Sequence, residues 1–112
     1  MARFPEHVPP VHEQLGRRPA IIVGLPEAAG VPRFPAVILA PMTSYHQQAW
    51  AIQSPHLYPT LTAGTGGLPV DSVVLLDQTR ALDADQVEQY RGSLPADDHA
   101  RIEAGFRLLF GL

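Results

Sequence analysis

The stretch DSVVLLDQTRAL, residues 71–82, carries the strongest strand signal in the chain. Its first half is an apolar, β-branched run, and in its second half Asp77, Gln78 and Arg80 emerge from that run. Upstream, AGTGGLP (63–69) reads as a glycine-rich turn and TLTA (60–63) as a short strand. AWAIQS (49–54) alternates loosely, which places Trp50 and Ile52 on one face and suits a core role for both. AVILAPMTS (36–44) is a second apolar strand, and Pro41 near its end implies a bulge or an edge. LPEAAGVPRFP (25–35) is a loop, and RPAIIVG (18–24) is a buried strand with Pro19 confined to its start.

Downstream the period changes. Asp83 is a reasonable N-cap for a helical turn over ADQV (84–87). Pro95 suits the first position of a longer helix, where Asp97 and Asp98 complement the dipole. Ile102, Phe106 and Leu109 then form an i, i+4, i+7 stripe, and Gly111 ends the helix. Gly105 inside it costs about 1 kcal/mol relative to alanine, so the helix relies on packing. At the other end, Pro5, Pro9 and Pro10 argue against a regular central strand and for an extended arm. The reading is one domain over residues 1–112: a small, mainly β, SH3-like antiparallel barrel closed by a C-terminal helix. Residues 1–11 form an irregular proline-rich arm.

Composition narrows the function. The chain has no cysteine, so a disulfide framework and thiolate metal ligation are both excluded. The five histidines show no ligand-like spacing, and neither a metal nor any other cofactor is expected. There is no membrane-length apolar run and no signal-peptide pattern, which gives a cytoplasmic expectation. Net charge is −3, against an extended sequence-blind nucleic-acid binder. The charges are segregated, however. All eight basic residues are arginine, four of them within the first 33 positions, and residues 34–70 carry no charged side chain. A locally positive patch on an acidic body remains open.

Three stretches in this order resemble the MazF/PemK (Kid) family of toxin endoribonucleases. HEQLGRRPAIIV (12–23) is similar to the family's Glu-Gln-x-Gly-x-Arg-Pro segment and following strand. VILAPMTS (37–44) resembles the next strand, and GLPVDSVVLLDQTRALD (67–83) the motif ending in Asp/Glu-Gln-x-Arg. The family's usual first strand, of the Gly-Asp-x-Val/Ile kind, is replaced here by MARFPEHVPP (1–10). The resemblance implies a homodimer, metal-independent cleavage of single-stranded RNA and an acidic antitoxin partner.

Metal-free RNA cleavage uses the 2′-hydroxyl to attack the adjacent phosphate while the 5′-oxygen leaves. The site needs a cation for the phosphorane charge and groups that accept and donate protons. A guanidinium is a planar fork for phosphate oxygens and stays charged at any working pH. Arg18, held between Gly16-Arg17 and Pro19, matches the family's catalytic arginine, with Arg17 as a secondary phosphate contact. The resemblance makes Thr43 the catalytic threonine and Ser44 its neighbour on the RNA. His12 falls where the Kid branch carries a histidine, a side chain of unperturbed pKa about 6.5 that can share in proton transfer. Asp77 aligns with the carboxylate given the general-base role in the Kid branch. The arginine two residues before it there is Leu75 here, which favours the Arg–Thr version of the site. Gln78 and Arg80 follow as RNA contacts. The uncharged segment SYHQQAWAIQSPHLY (44–58) offers aromatic and amide groups for unpaired bases, Gln47 among them.

A non-enzymatic alternative uses the same fold. CcdB-like gyrase poisons also carry Gly-Arg-Arg before a strand and end in an aromatic-Gly-aliphatic tail, as do residues 16–18 and 110–112 here. A catalytically degenerate interaction module is the third reading.

Overall fold

The computed structural model describes residues 10–13, 19–83, 87–90 and 94–112. Its strands are β1 (Pro10–Glu13), β2 (Pro19–Gly24), β3 (Ala36–Ser44), β4 (Thr60–Leu61), β5 (Ser72–Val74), β6 (Arg80–Asp83) and β7 (Val87–Tyr90). A short helix α1 (Ala49–Gln53) and a long helix α2 (Ala96–Phe110) complete it. The strands run in the order β4-β5-β3-β2-β1-β7, and β6 also pairs with β3. Every pairing is antiparallel, giving the expected half-barrel with a C-terminal helix.

The middle of the sheet is buried on both faces, which is why β2 and β3 read as continuous apolar runs. Ile21, Val23, Ala40 and Met42 join Ile102 and Phe106 of α2 in the main core. The alternate residues Ala20, Val37 and Leu39 form a second cluster with Leu82 on the other side.

β3 changes partner part-way along. Its first half, Ala36–Leu39, lies opposite β6, and its last three residues, Met42–Ser44, lie opposite β5. Five residues, 75–79, therefore face only two, 40–41, and the surplus is extruded. Pro41 is the cause. A strand residue points its N–H and C=O to the same side. The Pro41 carbonyl accepts from the Leu75 N–H at 2.9 Å, but proline has no N–H to return. The ladder breaks there, and Leu76–Gln78 close into a 3-10 turn. Leu76 is fully buried while Asp77 and Gln78 are exposed. The Thr79 hydroxyl caps the turn by donating to the Leu76 carbonyl at 2.8 Å. The continuous strand expected over 71–82 is thus two short strands around a polar turn. The irregularity expected at Pro41 appears in its partner.

Three further expectations are corrected. Residues 49–53 form a helical turn rather than an alternating segment. It buries Ala51 and leaves Trp50 43% and Ile52 57% exposed, so neither fills the core. Among the described residues pairing at the N-terminal end includes Pro10 and Val11, inside the span read as an arm, and β1 lies between β2 and β7. Pro10 is tolerated as the first strand residue. Val87, placed in a helical turn by the sequence, begins β7. Residues 1–9 and 84–86 lie outside the described residues.

α2 starts after Pro95 and ends at Gly111, whose φ of 70° is left-handed, with the Leu112 N–H bonded to the Arg107 carbonyl. Ile102 and Phe106 are buried, but Leu109, the third member of the expected stripe, is 42% exposed. Arg101 ties α2 to β4 through the Thr60 carbonyl at 2.5 Å and pairs with Asp98 at 2.6 Å. Among the described residues no helix is long and apolar enough to cross a membrane.

Gly105 has a steric reason to be glycine. A Cβ there would sit 2.3 Å from the His56 carbonyl oxygen and 2.5 Å from Leu76 Cδ1. Gly105→Ala gains helix propensity but must displace a backbone carbonyl. The net expectation is destabilisation of about 1–3 kcal/mol, read as a lowered midpoint in chemical denaturation.

Candidate nucleic-acid interface

The antiparallel order brings several sequence candidates to one end of the sheet. His12 of β1 lies opposite Pro19, the first residue of β2, and Ala20 lies opposite Pro41 near the end of β3. Thr43 and Ser44 finish β3 at this end, paired with Val73 and Ser72. Arg17 and Arg18 lie outside the described residues. The connection that carries them joins β1 to β2.

Strand alternation sorts the candidates by face. Met42 belongs to the main core, so Thr43 turns to the opposite face, shared with Leu39 and Pro41. Arg80 is the partner of Leu39 and takes the same face as Thr43, where it is exposed. Ser44 is turned away from Thr43 by the pleat.

The segment after β3 is braced by one side chain. Gln48 accepts from the His46 N–H at 2.8 Å and donates to the Ser44 carbonyl at 2.9 Å. These bonds hold Gln47 at a φ of 59°, the positive-φ position among the described non-glycine residues. A left-handed residue of this kind costs about 1 kcal/mol or more, and here it displays an exposed amide.

The extruded turn completes a second group. The Tyr58 hydroxyl donates to Asp77 Oδ2 at 2.7 Å, and the Tyr58 ring meets Trp50 edge-on, with centroids 4.9 Å apart and planes at 81°. Backbone bonds stitch the two segments together: the Val74 N–H reaches the Pro59 carbonyl at 2.8 Å, and the Leu76 N–H reaches that of Leu57. Trp50, Tyr58 and Asp77 thus form one contiguous surface, with Gln78 adjacent in sequence. Sequence reasoning missed Tyr58, because nothing local links it to a residue nineteen positions away. Among the described residues no three His, Asp or Glu side chains converge on a point.

A curved antiparallel sheet with one helix across its core face, and with hydroxyl, amide and aromatic groups along one rim, is the architecture of the small half-barrel toxins. The chain belongs to the PemK-like, MazF-like toxin family of type II toxin–antitoxin systems, whose family model matches residues 1–110. Among solved structures it is similar to the Mycobacterium tuberculosis toxin MazF-mt6, at 23% identity over 93% of this chain and 97% of that one, with a TM-score of 0.70. It is similar to MazF in a MazE–MazF structure from Deinococcus radiodurans, at 28% identity over 99% and 100% of the two chains, TM-score 0.66. A third similar structure is a mycobacterial endoribonuclease in complex with its cognate antitoxin, at 16% identity over 99% and 97%, TM-score 0.68. No curated protein sequence matches it.

The Tyr58–Asp77 contact has a titration signature. The hydrogen bond to Asp77, then lost hydration, then the carboxylate charge raise the Tyr58 phenol above its ordinary value. Only the neutral phenol donates, so the contact holds below the usual phenol range, about pH 10, and is lost as pH rises through the raised value. Phenolate absorbance should show one of the three tyrosines ionising late. Asp77→Ala, which removes both the acceptor and the charge, should return it to the ordinary range; a curve unchanged by that substitution would mean that the contact does not form in solution.

Proposed function

We propose that this toxin is a metal-independent, sequence-specific endoribonuclease acting on single-stranded RNA in the cytoplasm. The observation that carries the reading is the gathering of His12, Pro19 and Thr43 at one sheet end, in a chain of the MazF/PemK family. In this reading the 2′-oxygen loses its proton and attacks phosphorus. The bond to the 5′-oxygen breaks, that oxygen takes up a proton, and a 2′,3′-cyclic phosphate remains. Arg18 neutralises the charge that grows on the phosphorane, and Thr43 donates to a phosphate oxygen. His12 moves the proton. Asp77 is a weaker acceptor, because the Tyr58 hydroxyl already occupies one of its oxygens. Arg17 and Arg80 attract the backbone, while Ser44, Gln47 and Gln78 hydrogen-bond the strand.

The same reading includes an acidic antitoxin covering the arginine pair. The Deinococcus relative is similar enough, at 28% identity, to make its MazE complex a guide. It also includes a homodimer. Leu108, Phe110 and Leu112 are exposed at the end of α2, and the middle of the chain carries no charge to keep copies apart.

Arg18→Ala and Thr43→Ala should each lower cleavage of a single-stranded RNA by about 10²–10³ while the fold persists. Arg18→Lys should also be poor, since an ammonium cannot make the bidentate contact. Cleavage should survive EDTA. An Arg18→Ala protein that cleaves like wild type would sink the site assignment, and inhibition of gyrase supercoiling without RNA cleavage would favour the CcdB-like alternative.

Sedimentation at micromolar concentration should give the mass of two chains. A monomer would overturn the dimer.

A further inference from the structure

We propose that Trp50, Tyr58 and Asp77 form a base-reading subsite specific for guanine. This rests on the RNA-cleaving reading only for the identity of the polymer. The residues come from α1, the turn after it and the extruded turn, and they meet at the surface: Trp50 is 43% exposed and Asp77 is exposed. Trp50 offers an aromatic platform, the group on which unpaired bases stack without regard to sequence. Selectivity must then come from the polar group beside it.

That group is an ionised carboxylate, which only accepts hydrogen bonds. It repels phosphate and rejects the acceptor-rich edges of bases. Guanine presents two adjacent donors, N1–H and the N2 amine, and so can engage a carboxylate through both. Adenine and cytosine present one amine beside an acceptor nitrogen. Tyr58 fixes the carboxylate by donating to one lone pair of Oδ2 at 2.7 Å, which leaves Oδ1 and the second lone pair of Oδ2 to meet the two guanine donors. Two backbone bonds between the segments hold the platform and the acceptor in register.

An arginine side chain from a protein partner would also suit an aromatic ring beside a carboxylate. The surroundings favour a base. Residues 44–58 carry hydroxyl, imidazole and amide groups but no charge, and the exposed amide of Gln47 supplies the two-sided hydrogen bonding that base edges need. Asp77 is part of the reading apparatus and is separate in role from the Arg18–Thr43 pair.

Trp50 is the single tryptophan of the chain, so its fluorescence reports the subsite directly. The test titrates the full chain with hexamers of deoxyuridine carrying one deoxyguanosine, deoxyinosine or deoxyadenosine. These lack a 2′-hydroxyl and cannot be cleaved. Affinity is read from Trp50 quenching and from the anisotropy of a dye on the oligonucleotide. The deoxyguanosine hexamer should bind at least tenfold more tightly than the deoxyinosine one, which lacks the N2 amine. Asp77→Asn should bring the two within twofold, and Tyr58→Phe should fall between. Trp50→Ala should weaken every hexamer in the anisotropy measurement. Arg18→Ala should lower all affinities and leave the guanine-to-inosine ratio intact. Loss of RNA cleavage activity with the ratio preserved would count against the proposed function and leave the subsite standing. An Asp77→Asn protein that keeps the guanine preference would overturn the subsite. Quenching by an arginine-rich peptide with no response to the hexamers would also overturn it.

Discussion

β3 pairs with more strands than any other in this sheet, and one missing hydrogen bond donor within it organises what lies around it. Pro41 accepts from Leu75 but returns nothing, on the side where β3 would otherwise face one long neighbour. The neighbour is cut into β5 and β6, and the excess chain between them becomes the turn that displays Asp77. A buried ladder tolerates such a break only when the freed groups find other partners. The Leu75 carbonyl, which Pro41 cannot serve, accepts from the Gln78 N–H at 3.0 Å. On the other edge the carbonyls of Leu57 and Pro59 accept from Leu76 and Val74, which draws the segment after α1 against the turn. Proline in the central strand therefore generates the surface on which the aromatic pair and the carboxylate meet.

Much of this was legible in the sequence because it depends on local composition. The apolar runs at 19–24 and 36–44 are strands because both faces of the mid-sheet are covered, and no other element fits that length and branching. Pro95, the acids after it and Gly111 bound α2 by capping chemistry alone. What failed to show depends on a partner. Residues 71–82 look like one strand in isolation and are divided only by a proline some 35 positions away. Trp50 looks like core until the helical turn buries Ala51 in its place. Gly105 looks like a cost until the His56 carbonyl is set against it. At the site, Thr43 came from the family register, whereas Tyr58 needed the tertiary contact with Asp77 to be noticed.

The charge layout separates the work of the surface. Residues 34–70 are neutral, and hydroxyl, amide and aromatic groups in them can discriminate by hydrogen bonding and stacking without a strong field. Asp77 stands beside this neutral ground. The arginine pair belongs to the β1–β2 connection. On the proposed reading an RNA is attracted by the arginine pair and examined over the neutral ground, so that binding strength can change without changing selectivity.

The contact between Gly105 and the His56 carbonyl has a consequence for redesign. No slack exists between α2 and the turn that carries Tyr58, so helix and turn behave as a single casting with respect to approach. Substitutions that thicken either wall propagate into the placement of the phenol, even though they lie behind the working surface. Loop 45–48 is held differently, by the Gln48 amide and by the Tyr45 N–H, which donates to the Asp71 carbonyl at 2.9 Å. The Gln48 carbonyl also starts α1 by accepting from the Ala51 and Ile52 N–H groups, so a change of length there reaches Trp50. The back of the molecule is the rigid jig, and the exposed side chains at 46 and 47 are the part open to retooling.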